Sequence, residues 1–198
     1  MAGKQNTKKQ KLLQVSAQLF NEKGYQATTM QEIADNLGMK KGSIYYYIKT
    51  KEDLLYELGF ATLHMLLDSG EKVRRLTVEP DEKLRRFIHN HMNLLCKHLD
   101  LFTVSLRELN KINVPTYWNE IVNLRKKYEI MTRDIIQDGQ KAGLFRDYDY
   151  RIVVNGILGM MNWIIRWYSP QGEKSPDDIA EVWTEMILHG LCAGAACK

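Results

Sequence analysis

Apolar residues recur along nearly the whole chain at spacings of three and four, and almost nowhere at the alternating spacing of strands. A first helix is expected over residues 7–23, with Leu12, Val15, Ala17, Leu19 and Phe20 as its stripe and Gly24 as its stop. Met30, Ile33, Ala34 and Leu37 fall at i, i+3, i+4 and i+7 and mark a second helix. Thr29-Met30-Gln31-Glu32 reads as its capping box, and Gly38 sits where the chain must leave it in a left-handed conformation. A short third helix is expected over 40–47. Thr50-Lys51-Glu52-Asp53 caps a fourth, which carries Leu54, Leu55, Leu58 and Ala61 on toward Leu76. Pro80 suits the first turn of a fifth helix reaching about residue 98. A sixth covers 101–110, and a long seventh begins at Pro115 and stops at Gly143. Asp147 or Asp149 caps an eighth that runs to residue 168. Ser175-Pro176-Asp177-Asp178 heads the ninth, 176–191, with an N-cap, a proline at the first helical position and two acids that suit the helix dipole. The fold class is therefore all-α, with about nine helices.

Charge adds a polarity to this plan. The 198 residues carry a net +4, but residues 1–51 hold nine lysines against three acids, a net +6, and the remainder is net −2. A cationic block at one end is the electrostatic footprint that binding to phosphates requires. The three cysteines, Cys96, Cys192 and Cys197, form no CxxC pair, which argues for a reducing compartment and against a disulfide framework. The first residues hold no apolar signal segment. The most apolar run, residues 152–165, is interrupted by Asn155 and Asn162 and falls short of the ~20 residues that span a bilayer. A soluble cytoplasmic protein is expected.

The stretch 28–54 combines these signals. One helix, a tight turn containing Gly38 and a second helix rich in Lys, Ser and Tyr follow the helix-turn-helix plan for reading DNA. Phe20, Gly24, Tyr25, Thr28, Thr29, Ile33, Ala34, Leu37, Gly38, Gly42, Ile44, Tyr45, Tyr47, Ile48, Lys51 and Leu54 together resemble the DNA-binding domain of the TetR (AcrR-like) family of one-component transcriptional regulators, over about residues 8–58. The resemblance implies a DNA-binding domain over 1–52 and a ligand-binding and dimerisation domain over 53–198. It implies Gln31, Lys41 and Tyr45 at base edges, and Thr29, Ser43, Tyr47 and Lys51 at phosphates. Gly42 lets the backbone approach the duplex closely. Lys40 and Tyr46 complete the DNA-binding set. Tyr45 has partial burial against the first helix as its alternative role, and Tyr46 has packing between helices.

One such unit covers few bases, so a homodimer on a palindromic double-stranded operator is expected, with recognition helices about 34–36 Å apart. By the same resemblance the last two helices form the dimer interface. Gly156 and Gly159 would allow close approach there, and Ile179, Val182, Trp183, Met186 and Ile187 would supply apolar surface. Their alternative is the monomer's own core.

The segment 159–175 looks like the C-terminal region of a TetR subgroup that controls fatty-acid, sterol or phenylacetate breakdown and responds to acyl-coenzyme A thioesters. Asn162 and Arg166, and Trp163 and Trp167, are i, i+4 pairs on a continuous helix. Arg107 and the Arg125-Lys126-Lys127-Tyr128 run also resemble that subgroup. The resemblance implies ligand-binding roles for Arg107, Asn162, Trp163, Arg166 and Trp167. An acyl-CoA requires an apolar channel with a few cations and aromatic faces. Met65, Leu66, Leu106, Met131, Ile135, Met160 and Met161 would give such a channel deformable walls.

His89, His91, Cys96 and His98 lack the i, i+4 spacing of a helical zinc chelate, so no metal is expected. There is no glycine-rich phosphate loop, nucleophile elbow or paired carboxylate site, so an enzyme is not expected, nor a cofactor beyond the effector. The reading is a dimeric repressor released by a small-molecule effector, an acyl-CoA thioester first and a drug or other apolar ligand second. The remote rival is an acyl-CoA-binding enzyme or carrier.

Overall fold

The computed structural model describes the backbone of residues 2–192, with side chains for all of these except residues 2–7 and 41. Lys41's side chain and Cys197 therefore lie outside the described residues.

Nine α-helices are present among the described residues: α1 (Ala2–Lys23), α2 (Met30–Asn36), α3 (Lys41–Tyr45), α4 (Lys51–Arg74), α5 (Pro80–Lys97), α6 (Leu99–Glu108), α7 (Trp118–Lys141), α8 (Tyr150–Trp163) and α9 (Pro176–Leu191). The described residues contain no strand, only an isolated antiparallel bridge between Phe145 and Cys192. None of the described helices is long and apolar enough to cross a membrane. Cys96 is a free, buried thiol.

The local signals act where the sequence puts them. Thr29 caps α2 in an extended conformation, and its hydroxyl and Glu32 exchange both hydrogen bonds of the capping box. Ser175 and Asp178 do the same at α9, with Pro176 at the first position. Gly24, Gly38 and Gly143 all adopt positive φ. At Gly38 this conformation turns the chain back after α2, so that the Met39 N–H reaches the Ala34 carbonyl at 2.9 Å.

One helix ends earlier than its pattern predicts. The apolar periodicity carries the eighth helix to residue 168, yet α8 stops at Trp163 and tightens into a 3₁₀ turn, Ile164–Arg166. Pro170 follows, and a proline pushes the residue before it away from helical geometry, so the chain winds down ahead of Ser169.

The backbone divides into two compact units, residues 1–62 with 98–122, and residues 63–97 with 123–198. In the first, α1 packs on α6 and on α2, and α2 on α3. Leu12, Ala17, Leu19 and Phe20 of α1 are buried in this unit, as are Ile33, Ile44, Ile48, Leu54, Leu55 and Leu58. The loop after α6 is fastened within the same unit. The Thr116 N–H donates to Glu52 at 2.9 Å, the Tyr117 hydroxyl donates to Asp53, and the Tyr117 ring stacks on Tyr56 at 4.0 Å.

In the second unit α5 packs most extensively on α9. Leu84, Phe87, Ile88, Met92 and Leu95 form the buried face of α5. A polar ladder runs beside that seam: Arg85 bridges Glu181 and Glu185 at 2.8 and 2.7 Å, His89 meets Glu181 at 3.0 Å, and Asn93 donates to Asp177 at 2.6 Å.

Candidate nucleic-acid interface and effector region

Helix α3 has only five residues and cannot hold itself together, because nucleating so short a helix is unfavourable. Ile44 and Ile48, four apart and both buried, bind it to the first unit's core. The intervening side chains are thereby turned outward. Tyr46 is 74% exposed and Tyr45 41% exposed, while Ser43 and Gly42 lie at the surface and Tyr47 is half-buried. The Tyr46 and Tyr47 rings meet edge-on at 5.3 Å. Packing between helices, the alternative role for Tyr46, does not fit so exposed a ring. A side chain added at Gly42 would meet nothing within 4 Å, so this edge of α3 is open to an incoming surface. Lys40, the N-cap residue, is exposed as well.

On α2, Gln31 is exposed and its amide donates to Asp35 at 2.8 Å, so it would have to leave that partner to reach a base. Thr29 is exposed but engaged in the capping box. Lys23 at 2.8 Å, with the Thr29 N–H and hydroxyl, holds the Glu32 carboxyl down to about 2. That carboxylate ties the end of α1 to the start of α2.

Lys51 has a different role from the phosphate contact expected of it. Its ammonium donates to the carbonyls of Tyr25, Gln26 and Thr28 at 2.9, 3.0 and 3.1 Å and lies 4.6 Å from the centre of the Tyr25 ring. An ammonium has three protons, and all three are used. Burial also holds its pKa below the usual lysine value. Lys51 clamps the loop between α1 and α2 onto the head of α4.

The second unit distributes its expected ligand residues differently. Because the helix ends at Trp163, the two i, i+4 pairs do not form as on a continuous helix. Trp163 and Trp167 are 62% and 51% exposed, and Arg166 is exposed with its guanidinium 5.5 Å from the Trp163 ring centre. Trp167 instead meets Trp183 edge-on at 6.0 Å. Asn162 alone turns toward the interior, beside His91. Arg107 is exposed on α6 and belongs to the first unit.

The interior holds polar groups that the sequence reading does not select. His91 is fully buried, and its Nδ1 lies 3.0 Å from the Tyr128 hydroxyl. Burial pushes its pKa down to about 4 and pushes the Tyr128 hydroxyl well above its usual value. Two arrangements of the pair are available. If the Tyr128 O–H donates to Nδ1, only the Nε2–H is left without a full partner. If Nδ1–H donates instead, both the phenol proton and Nε2 are left over. The first is cheaper, so neutral His91 presents an Nε2–H donor. That nitrogen has no hydrogen bond within the usual geometry, and the Asn162 amide is the polar group beside it. The signal is present in the spacing, since His91 shares one α5 face with Leu84, Phe87, Ile88 and Leu95.

The expected dimer residues also divide. Gly156 and Gly159 are exposed and open, with nothing within 4 Å of an added Cβ. Val182 and Met186 are exposed, while Trp183 and Ile187 are half-buried. Ile179 is buried inside the unit and is a core residue, because it falls on the α9 face shared with Ala180, Thr184 and Leu188. Ile152, absent from the expected set, is 74% exposed and lies on the α8 stripe of Gly156, Gly159 and Trp163.

Comparison with known proteins decides the family. Residues 12–58 match the family described as bacterial regulatory proteins, tetR family, and residues 77–191 match the tetracyclin repressor-like C-terminal domain. The chain belongs to the TetR family. It is a DNA-binding transcriptional regulator. Among its relatives is the HTH-type transcriptional repressor KstR2 of Mycobacterium tuberculosis, 26% identical over 193 residues and 96% of each chain. The solved structure of that ketosteroid transcriptional regulator superposes with a TM-score of 0.88, at 25% identity over 94% of this chain and 96% of the other. PfmR from Thermus thermophilus is 33% identical, with a TM-score of 0.85, over 90% of this chain and 97% of the other. AibR, solved in complex with isovaleryl coenzyme A and operator DNA, is 26% identical with a TM-score of 0.81, over 90% of this chain and 96% of the other. The relatives are named as transcriptional regulators and repressors, not as enzymes.

Proposed function

We propose that the chain is a dimeric, operator-binding repressor released by an acyl-coenzyme A thioester, with residues 1–52 reading DNA and 53–198 holding the effector and the dimer contact. The outward face of α3 carries the DNA half of this reading. Two buried isoleucines fix a helix whose exposed side chains are hydroxyl- and amine-bearing, and such groups suit base edges and phosphates in the major groove. Lys40, Gly42, Ser43, Tyr45, Tyr46 and Tyr47 form that face, Lys41 belongs to it by its place in the sequence, and Thr29 and Gln31 of α2 lie beside it.

The dimer half is supported by the exposed Ile152, Gly156 and Gly159 on α8 and by Val182 and Met186 on α9. Exposed apolar side chains beside glycines that admit a neighbour suit a two-fold, self-complementary contact. Arg166 over Trp163 adds a cation and an aromatic face at the same end of the α8 stripe, a pairing suited to a phosphate or an adenine. AibR's isovaleryl coenzyme A supports the thioester class, and KstR2's ketosteroid context is compatible with it.

The experiment is selection of operators from random-sequence DNA by the purified protein, repeated with a panel of acyl-CoAs. A palindromic site released by one acyl-CoA is expected. A palindrome that no acyl-CoA releases removes the effector class, and absence of any selected site removes the DNA reading.

A further inference from the structure

A cleft of about 680 Å³ opens within the second unit, between the C-terminal half of α4 and that of α5. Its polar lining comes from Asp68, Ser69 and Lys72 on α4, Asn90, Asn93 and Lys97 on α5, and Tyr168 beyond the 3₁₀ turn. The spacing places Asp68, Ser69 and Lys72 on one face of α4. Asn90 and Lys97 lie seven residues apart, about 10 Å along α5.

The charges in this cleft are not used up within the fold. Asp68 and Lys72 stand at i, i+4, where such pairs ordinarily close, yet neither makes an ion pair among the described residues, and neither does Lys97. The neighbouring Glu71, one position away, takes both Arg74 and Arg75 at 2.7 and 2.9 Å. Two lysines, a carboxylate, two amides and two hydroxyls therefore line one hollow of small-molecule size.

We infer that this cleft binds the phosphorylated ribonucleoside end of a ligand, with the two lysines taking phosphates on either side of the sugar. Asp68 accepts from a ribose hydroxyl, Asn90 and Ser69 supply further hydrogen bonds, and Tyr168 lines the end of the cleft with an aromatic ring. Coenzyme A fits this pattern because its adenosine bears phosphate at both the 3′ and the 5′ positions of one ribose. The inference rests on the acyl-coenzyme A reading for the source of the ligand, and on the cleft alone for its chemistry.

The test is calorimetric titration of the full chain with coenzyme A, dephospho-coenzyme A and ADP, against the intact protein and the Lys72→Gln/Lys97→Gln variant. Both lysines are exposed, so the variant keeps the core intact. Coenzyme A is expected to bind about tenfold more tightly than dephospho-coenzyme A, as one charge-assisted phosphate contact implies, and the variant is expected to lose that preference along with most of the binding. Equal binding of coenzyme A and ADP, lost together in the variant, keeps the site and assigns it to free nucleotides. No binding of any of the three, or undiminished binding by the variant, overturns it. The same titrations separate this site from the effector reading. Operator release by an acyl-CoA that the variant leaves unchanged removes the cleft and keeps the effector. Coenzyme A held in the cleft with no operator release by any acyl-CoA keeps the cleft and removes the effector.

Discussion

The DNA-binding end and the C-terminal unit use opposite arrangements of polar and apolar surface. At the DNA-binding end, isoleucines and leucines go inside, and tyrosines, serine and lysine face out around a five-residue helix. In the C-terminal unit a histidine, a tyrosine and two threonines are buried among leucines, while two tryptophans, an isoleucine, a valine and a methionine are exposed. The first pattern suits a surface that meets a charged polymer in water. The second suits a unit that still has apolar surface to cover and polar interior groups whose partners are incomplete. On the proposed function, two such units divide the work: one reads, the other responds.

Changes to the exposed apolar stripe should break this contrast most severely. Val182→Asp with Met186→Asp places charge where a partner would sit and touches no core residue. The expected outcome is monomeric protein in analytical ultracentrifugation, unchanged helicity and loss of the operator complex. A dimer that survives both charges would mean the stripe faces something else. In the other region, Ile44→Ala removes the inner anchor of α3, fully buried, and should cost about 2–5 kcal/mol in urea unfolding while operator binding falls with it.

The buried histidine gives the C-terminal unit a pH signature at a higher pH than the Glu32 carboxylate gives the DNA-binding end. His91 is neutral in the fold, with its pKa pushed down to about 4 by burial, whereas the unfolded chain protonates near 6.5. As pH falls through that window the unfolded state gains a proton that the native state refuses, so the His91 contribution to stability declines from about pH 6.5 to about pH 4 and then levels. The full span is on the order of 3 kcal/mol. His91→Phe with Tyr128→Phe should flatten that slope. A slope unchanged in the variant would place the titration elsewhere.

Much of the DNA-binding end is legible in the sequence because its signals are local. A threonine three residues before a glutamate, a glycine where φ must be positive, and apolar residues at three and four all act within a turn or two. The role of Lys51 is hidden for the same reason. Nothing among its neighbours in sequence tells that three carbonyls some 25 residues upstream converge on its ammonium. In the C-terminal unit the positions of the helices are legible, but which side faces inward is not. Asn162, Trp163, Arg166 and Trp167 read as one helical cluster only if the helix continues, and the early 3₁₀ turn disperses them. Ile179 is buried and Ile152 exposed because periodicity finds an apolar stripe without saying what covers it. His91 lies on the apolar face of α5, where the sequence suggests it only as a metal ligand to be dismissed.

Two finer substitutions sharpen the boundary between structural and reading residues. Lys51→Met should leave three carbonyls short of a donor and cost about 1–3 kcal/mol, without altering the salt dependence of DNA binding. A reduced salt slope would return Lys51 to the phosphates. Tyr46→Ala should leave the melting temperature where it is, as most surface changes do, yet weaken operator binding by about tenfold. Unchanged affinity would remove Tyr46 from the reading face.

The central claim is that operator and effector compete through one equilibrium, and linkage fixes that claim in sign and size. The direct measurement is the affinity of the selected operator with and without the acyl-CoA that releases it, paired with the affinity of that acyl-CoA with and without operator. The account predicts that both affinities fall by the same factor. An acyl-CoA that binds equally well to the free protein and to the operator complex would contradict it.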